Sequence, residues 1–196
     1  MGRSLDHLLP RLHDCLVLTI EIPIGLPDEG YREADRLAAT RLGPRRSSVF
    51  PTPPRAVLEA ATHGGANEVA RRILGKGVSL QAYGLRGRIF EAEHHVRAGV
   101  NLVEVHPEVS FAELAGAPLA WSQSSWRGAP MRRKLLLDAG IRLPDILGEA
   151  DGVPIADVLD AAAAAWSADR IAEGAAVSLP DPPSVHSDGI PAAIHA

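Results

Sequence analysis

Two short runs of apolar residues constrain the fold of this 196-residue chain more than any other feature. The first is residues 15–22, CLVLTIEI, and the second is residues 100–105, VNLVEV. Neither run alternates regularly between polar and apolar residues, which is typical of strands covered on both faces in a parallel sheet. Because a sheet of two strands is marginally stable by itself, we expect either that helices dominate the fold or that further strands are missing.

Most of the remaining segments have helical patterns. Apolar residues recur three and four positions apart, and segments rich in Gly and Pro separate them. We predict helices over residues 4–13, 31–42, 54–62, 66–74, 80–96, 109–114, 129–139 and 155–173. Residues 178–196 contain several prolines and no hydrophobic period, so we predict a Pro-rich C-terminal tail there.

Composition and charge exclude several classes of protein. Hydrophobic residues make up 46% and charged residues 22%, the balance of a globular domain. No apolar run approaches the ~18 residues that cross a bilayer, so we expect no membrane partner. The N-terminus is too polar for a secretory signal, and the single Cys15 excludes an internal disulfide, so we expect a cytoplasmic location. The net charge of −4 lacks the basic footprint of a non-specific DNA-coating protein.

Each apolar run contains an acidic residue near its end, Glu21 in the first and Glu104 in the second. A carboxylate in an apolar strand is costly unless it is paired, hydrogen-bonded or bound to a metal. The carboxyl ends of parallel strands are also where α/β sheets bind ligands. Both facts favour a functional role. The alternative, nearly as well supported, is that each acid points outward and pairs with one of the many arginines.

Asp157 and Asp160 form a third acidic element at the start of the last predicted helix. Their spacing of three places them on one helix face. A solvated pair favoured by the helix dipole is the simple interpretation. However, alanines continue the face of Asp157, so both sides of this helix are apolar. We therefore favour a functional role for the two carboxylates.

Basic and hydroxyl residues are concentrated in residues 45–55, RRSSVFPTPPR, just before a predicted helix. Arginine and hydroxyl donors in such a loop suit phosphate binding, although a solvated loop explains them as simply. Residues 75–81, GKGVSLQ, lack the spacing of a phosphate-binding P-loop. Cysteine and histidine spacings do not match a zinc site. Cys15 lies inside a predicted buried strand and no Gly-x-Ser-x-Gly elbow occurs, so nucleophilic catalysis has no candidate.

Five segments in order resemble the signature blocks of domain-of-unknown-function family 429, whose members are predicted RNase H-like nucleases. The segments are IEIPIGLP (20–27), RRSSVFPTPPRAVLEA (45–60), GKGVSLQAY (75–83), EVHPEVSFAELAG (104–116) and ADVLDAAAAAW (156–166). Long blocks in family order are more specific than any single motif above. The resemblance implies one α/β, RNase H-like domain over residues 1–177, helix-rich, with a helical insertion at about 28–99.

The resemblance also implies a site in which carboxylates hold two divalent ions, Mg²⁺ or Mn²⁺, that activate water for cleavage of phosphodiester bonds in nucleic acid. The implied catalytic residues are Glu21, Glu104, Asp157, Asp160 and His106, the last to orient a ligand or shuttle protons. The implied metal ligands are Glu21, Glu104, Glu108 and Asp160. The implied contacts to substrate phosphates are Arg46, Ser47, Ser48, Arg55 and Lys76.

Three departures from the family pattern support an alternative function. Members usually begin with a strand that carries a Gly-x-Asp motif and two further strands, so about forty residues are expected to be missing. Glu21 stands where an Asp is usual, and residues 121–126, WSQSSW, replace a Lys pair. The alternative is a catalytically inactive or truncated binding module that forms a homodimer through an exposed sheet edge. A small-molecule phosphotransferase has no phosphate-cradling turn to support it.

Overall fold

Helices form most of the structure, and four short strands lie among them. The computed structural model describes residues 4–148 and 151–196. Its α-helices are α1 Leu5–Leu8, α2 Glu33–Leu42, α3 Arg55–Leu58, α4 His63–Leu74, α5 Leu80–Gly84, α6 Arg86–Arg97, α7 Pro107–Ala115, α8 Gly128–Asp138 and α9 Ile155–Ala172. Its strands are β1 Leu18–Ile20, β2 Leu102–Glu104, β3 Ser178–Val185 and β4 Pro191–His195. Short 3-10 helices cover Leu9–Arg11 and Gly43–Ser48. The fold is therefore mixed α/β and rich in helix, as the sequence predicts.

The two strands predicted from the apolar runs pair in parallel. Ile20 of β1 lies opposite Glu104 of β2, and the Val105 amide donates to the Ile20 carbonyl at 3.0 Å. The first strand is shorter than predicted, because pairing begins at Leu18. Cys15 is exposed, so its predicted position inside a buried strand is wrong.

The predicted C-terminal tail is also wrong, because residues 178–196 fold back as a β-hairpin. Strands β3 and β4 pair antiparallel, and Val105 next to β2 makes a parallel bridge to His195 of β4. Ile194 is 2% exposed and packs in a core with residues of α2 and α7. The prolines of β3 fall where its pairing with β4 shifts register, between Leu179 and Ser184, so they interrupt few ladder hydrogen bonds.

Helix α9 packs beside β1 and against α7 and α8. The Thr19 hydroxyl of β1 donates to the Ala164 carbonyl of α9 at 2.9 Å. Phe111 of α7, Leu136 of α8 and Leu159 of α9 are buried in one hydrophobic cluster. This packing places the first turns of α9 near the end of β1.

Helices α2 to α6 occupy the segment in which the sequence predicts a helical insertion. The helix predicted over residues 80–96 is divided into α5 and α6 near Gly84. Val57, Ala66 and Tyr83 form a separate small core among α3, α4 and α5. Within residues 4–148 and 151–196, every helix is too short or too polar to cross a membrane.

Candidate functional site

Three carboxylates from distant parts of the chain lie close enough to interact electrostatically beside the end of β1. Glu21 directly follows β1, Asp157 lies in the first turn of α9, and Asp160 lies one turn further along. Asp160 and Asp157 each act electrostatically on Glu21. Among the described residues, no Lys, Arg or His nitrogen lies within 4.0 Å of these carboxylates. We call Glu21, Asp157 and Asp160 the acid cluster.

Burial and mutual repulsion make the ionised form of Glu21 and Asp160 in the acid cluster unfavourable. Glu21 lines a cavity and is also exposed to solvent at the surface. Desolvation of its carboxylate, together with repulsion from Asp160 and Asp157, raises its pKa to about 7. Burial also raises the pKa of Asp160, against the hydrogen bond that this carboxylate accepts from Gln123 at 3.0 Å. A cation bound among these carboxylates would relieve their repulsion.

Glu104 is not in the acid cluster, because it forms a buried ion pair with Arg32. The two guanidinium nitrogens lie 3.0 and 2.5 Å from its two oxygens, and the Ile24 amide donates to it at 2.7 Å. Burial raises the pKa of Glu104 to about 7, although Arg32 acts in the opposite direction. Arg32 is 1% exposed, so Glu104 serves as the counter-charge of a buried arginine.

Glu108 is neutralised in the same way. Nη2 of the buried Arg132 lies 2.7 and 2.8 Å from its two oxygens, and Nε of Arg45 lies 3.2 Å from one of them. Two of the four carboxylates implied as metal ligands thus contact guanidinium groups. The alternative interpretation of the sequence predicted an arginine partner for Glu104, but with the carboxylate pointing outward, whereas Glu104 is buried.

His106 is the N-cap residue of α7. Its Nε2 is 3.4 Å from the Ser48 carbonyl oxygen, and burial lowers its pKa, so the ring is neutral near neutral pH. His106 and Glu21 both line a cavity of about 250 Å³. The structure therefore places His106 near one member of the acid cluster.

The predicted phosphate-binding residues are dispersed. Arg46 and Ser47 are exposed on the 3-10 helix Gly43–Ser48, and Ser48 lines the cavity. Arg55 is held by Glu93 and Asp188 at 2.8 and 2.7 Å, and Lys76 lies over the Tyr31 ring at 4.9 Å. Within the part of the chain that the structure describes, Arg46 and Ser47 are thus the members of this set that are exposed and make no such side-chain contact.

A different group of side chains comes closest together in the described residues. Asp6 of α1 and Glu91 and His95 of α6 have potential metal-ligand atoms that all lie within 4.8 Å of one another. Neither the acid cluster nor the four implied metal ligands come this close together. No sequence pattern marks this group, because Asp6 and His95 are far apart in the chain. The His95 side chain is 12% exposed, and its Nε2 lies 3.1 Å from a carboxylate oxygen of Asp6.

The acid cluster fits a hard divalent cation by its donor chemistry. Carboxylate oxygens suit Mg²⁺ and Mn²⁺, and Mg²⁺ usually keeps several waters, so widely spaced carboxylates can hold it through a mixed shell. Gln123 donates a hydrogen bond to Asp160 and so restricts the rotation of that carboxylate, and no sequence pattern marks this role.

Comparison with known proteins agrees with the sequence resemblance. No curated protein and no solved structure matches this chain. A family model described as a protein of unknown function, DUF429, matches residues 3–185. This match covers all five segments that carry the resemblance. The chain therefore belongs to the DUF429 family.

Proposed function

We propose that this protein is a divalent-metal-dependent phosphodiesterase that cleaves nucleic acid, and that its core is RNase H-like. The observation that carries the proposal is the acid cluster, in which Glu21, Asp157 and Asp160 interact electrostatically and form no ion pair within 4.0 Å among the described residues. Arg132, which pairs with Glu108, acts on Asp160 only from a greater distance. The parallel pair β1–β2 with α9 packed beside β1 supports the fold assignment.

The acid cluster would hold the cation, and Gln123 would keep Asp160 in place through their hydrogen bond. A divalent ion at such a site supplies an activated water and stabilises the leaving oxygen. His106, neutral and lining the same cavity as Glu21, would orient the ligand through Nδ1, which has no hydrogen-bond partner among the described residues. Arg46 and Ser47 are the implied phosphate contacts that remain free to meet a substrate.

We propose one cation at this site rather than the two that the resemblance implies. A second ion would need Glu104 or Glu108 to leave its arginine. Leaving a buried charge without its partner costs about 3–5 kcal/mol, and Arg32 and Arg132 are both fully buried. The ion pairs therefore favour a site built from the acid cluster alone.

The proposal is tested by cleavage of labelled single-stranded and double-stranded DNA and RNA with Mg²⁺ or Mn²⁺. We expect metal-dependent cleavage that falls at least about tenfold in Asp157→Asn, because a carboxylate ligand is lost. Asp169→Asn is the matched control, since Asp169 is an exposed aspartate on the same helix. The proposal is wrong if every substrate stays intact, or if both variants cleave equally.

A second candidate function is a non-catalytic binding module. The observation that favours it is the pairing of Glu104 with Arg32 and of Glu108 with Arg132, which removes two implied metal ligands. Strand β1 has β2 as its strand partner in the described residues, and its other edge would serve for homodimerisation. Light scattering on the purified chain tests this candidate, which predicts a dimer and no cleavage.

A further inference from the structure

We propose that the cavity beside Glu21 binds one unpaired nucleobase of the substrate. The inference deepens the proposed function and rests on it for the identity of the ligand as nucleic acid. The cavity lies at the ends of β1 and β2, where the segment before α3 and the helices α5 and α6 come together. It is separate from the carboxylates of α9, but Glu21 belongs to both.

The size and walls of the cavity suit a single ring system. Its volume of about 250 Å³ is below the ~300–1,000 Å³ of pockets for drug-sized ligands. Its apolar lining includes Ile22, Val49, Phe50, Leu85, Val105 and Ile194. Phe50 is 41% exposed, so its ring is available to stack on a planar ligand. A ligand with flat apolar faces matches these walls.

Two unsatisfied polar atoms supply hydrogen-bonding positions in the lining. The Thr52 hydroxyl and Nδ1 of His106 are buried and have no hydrogen-bond partner among the described residues. Both residues line the cavity, and Thr52 is 2% exposed. The Thr52 amide is already used by Asp35 at 2.6 Å, and Nε2 of His106 faces the Ser48 carbonyl. Because that carbonyl can only accept, Nε2 carries the proton and Nδ1 is an acceptor.

The lining carries charges of both signs, which suits a neutral base better than a phosphate. Two of its three carboxylates pair with the buried Arg32, and the third, Glu21, shares the lining with the Arg88 guanidinium. A nucleobase is neutral, has apolar faces, and offers N–H donors and acceptors along its edge, as Nδ1 of His106 and the Thr52 hydroxyl require.

The shared position of Glu21 links the two parts of the site. A base held in the cavity would place its own sugar and phosphodiester outside, beside the acid cluster. A base inside a duplex is not available for such a cavity unless it is flipped out. We therefore expect unpaired nucleotides to be the preferred substrates.

The test is calorimetric titration of the full chain with adenosine, guanosine, cytidine and uridine in the presence of EDTA. We expect saturable binding of at least one nucleoside without metal. Phe50→Ala and Thr52→Val should each weaken it about tenfold or more, and Thr52→Ser should restore it. Trp126→Ala is the matched control, because Trp126 is an aromatic residue outside the cavity that is 93% exposed.

The outcomes separate this inference from the proposed function. Nucleoside binding without cleavage of any nucleic acid would support the cavity and contradict the phosphodiesterase. Metal-dependent cleavage without binding of any nucleoside would overturn the cavity inference alone. Binding that Phe50→Ala and Thr52→Val leave unchanged would also overturn it. Thermal unfolding of each variant shows whether it is folded. If Thr52→Val does not fold, Phe50→Ala still tests the cavity, because Phe50 is 41% exposed and its loss disturbs the core less.

Discussion

Glu21 and Glu104 occupy similar places at the ends of neighbouring parallel strands, yet the fold gives them opposite surroundings. Glu104 is buried and accepts hydrogen bonds from both terminal guanidinium nitrogens of Arg32. Glu21 lies near two other carboxylates and has no ion-pair partner among the described residues. The sequence predicted that both acids matter, because carboxylates in apolar strands need a partner. It could not predict which would find an arginine, since Arg32 and Glu104 are 72 positions apart.

The raised pKa of Glu21 predicts a pH-dependent stability in the absence of metal. Because its pKa in the folded state, about 7, is above the ordinary value of 4.5, the folded state binds the extra proton between these pH values. Stability is therefore lost as the pH rises through this range. We expect Glu21→Gln to raise the free energy of unfolding by about 1 kcal/mol near pH 8, after allowance for solvent screening, and to change little near pH 4.

Urea denaturation of the wild type and Glu21→Gln at several pH values, with EDTA present, measures this effect. Glu33→Gln is the control, since Glu33 is an exposed glutamate paired with Arg36. A pH-independent difference between wild type and Glu21→Gln would show that Glu21 is not destabilised by its neighbours.

Arg32 and Glu104 should behave as a structural pair. We expect Arg32→Met to lower the free energy of unfolding by about 3–5 kcal/mol, because the Glu104 carboxylate loses its buried partner. The double variant Arg32→Met/Glu104→Gln should recover part of this loss. Urea denaturation of both variants provides the measurement. Equal stability of Arg32→Met and the wild type would contradict the role given to the pair.

At the scale of elements, the sequence predicted what periodicity and apolar runs determine. The strands β1 and β2 and most helices lie where these patterns place them. The hairpin β3–β4 was missed because prolines in residues 178–185 interrupt any two-residue alternation, and because its burial depends on contacts with α2 and α7. Alanines at 192 and 193, both buried, gave too weak an apolar signal to mark β4.

The hairpin should contribute measurably to stability. Ile194 is 2% exposed and packs against the core of α2 and α7, so we expect Ile194→Ala to cost about 2–4 kcal/mol. Val185→Ala on the same hairpin should cost less than about 0.5 kcal/mol, because Val185 is 64% exposed. Chemical denaturation of the two variants measures the difference. If Ile194→Ala were as mild as Val185→Ala, residues 178–196 would not be part of the folded core.

At the scale of the whole molecule, contacts between distant segments decide the chemistry of the site. The sequence placed Asp157 and Asp160 on one helix face and Glu21 at a strand end, and the packing of α9 beside β1 joins them. It could not predict Gln123 beside Asp160, or Arg132 beside Glu108, because these partners come from other elements. What the chain can bind therefore follows from its tertiary packing.

The most direct test of the central claim is calorimetric titration of Mn²⁺ into the whole chain near pH 8. It is carried out in an Asp6→Asn background, so that the group of Asp6, Glu91 and His95 does not add a second site. Asp157→Asn and its matched control Asp169→Asn are compared in this background.

We predict one Mn²⁺ per chain in the background protein and in the control. Affinity should fall at least about tenfold in Asp157→Asn. Affinity of the background protein should also fall about tenfold near pH 6, because Glu21 with a pKa of about 7 is then mostly protonated. A cation site at the acid cluster would be contradicted if no Mn²⁺ binds, or if Mn²⁺ binds with the same affinity to Asp157→Asn and Asp169→Asn.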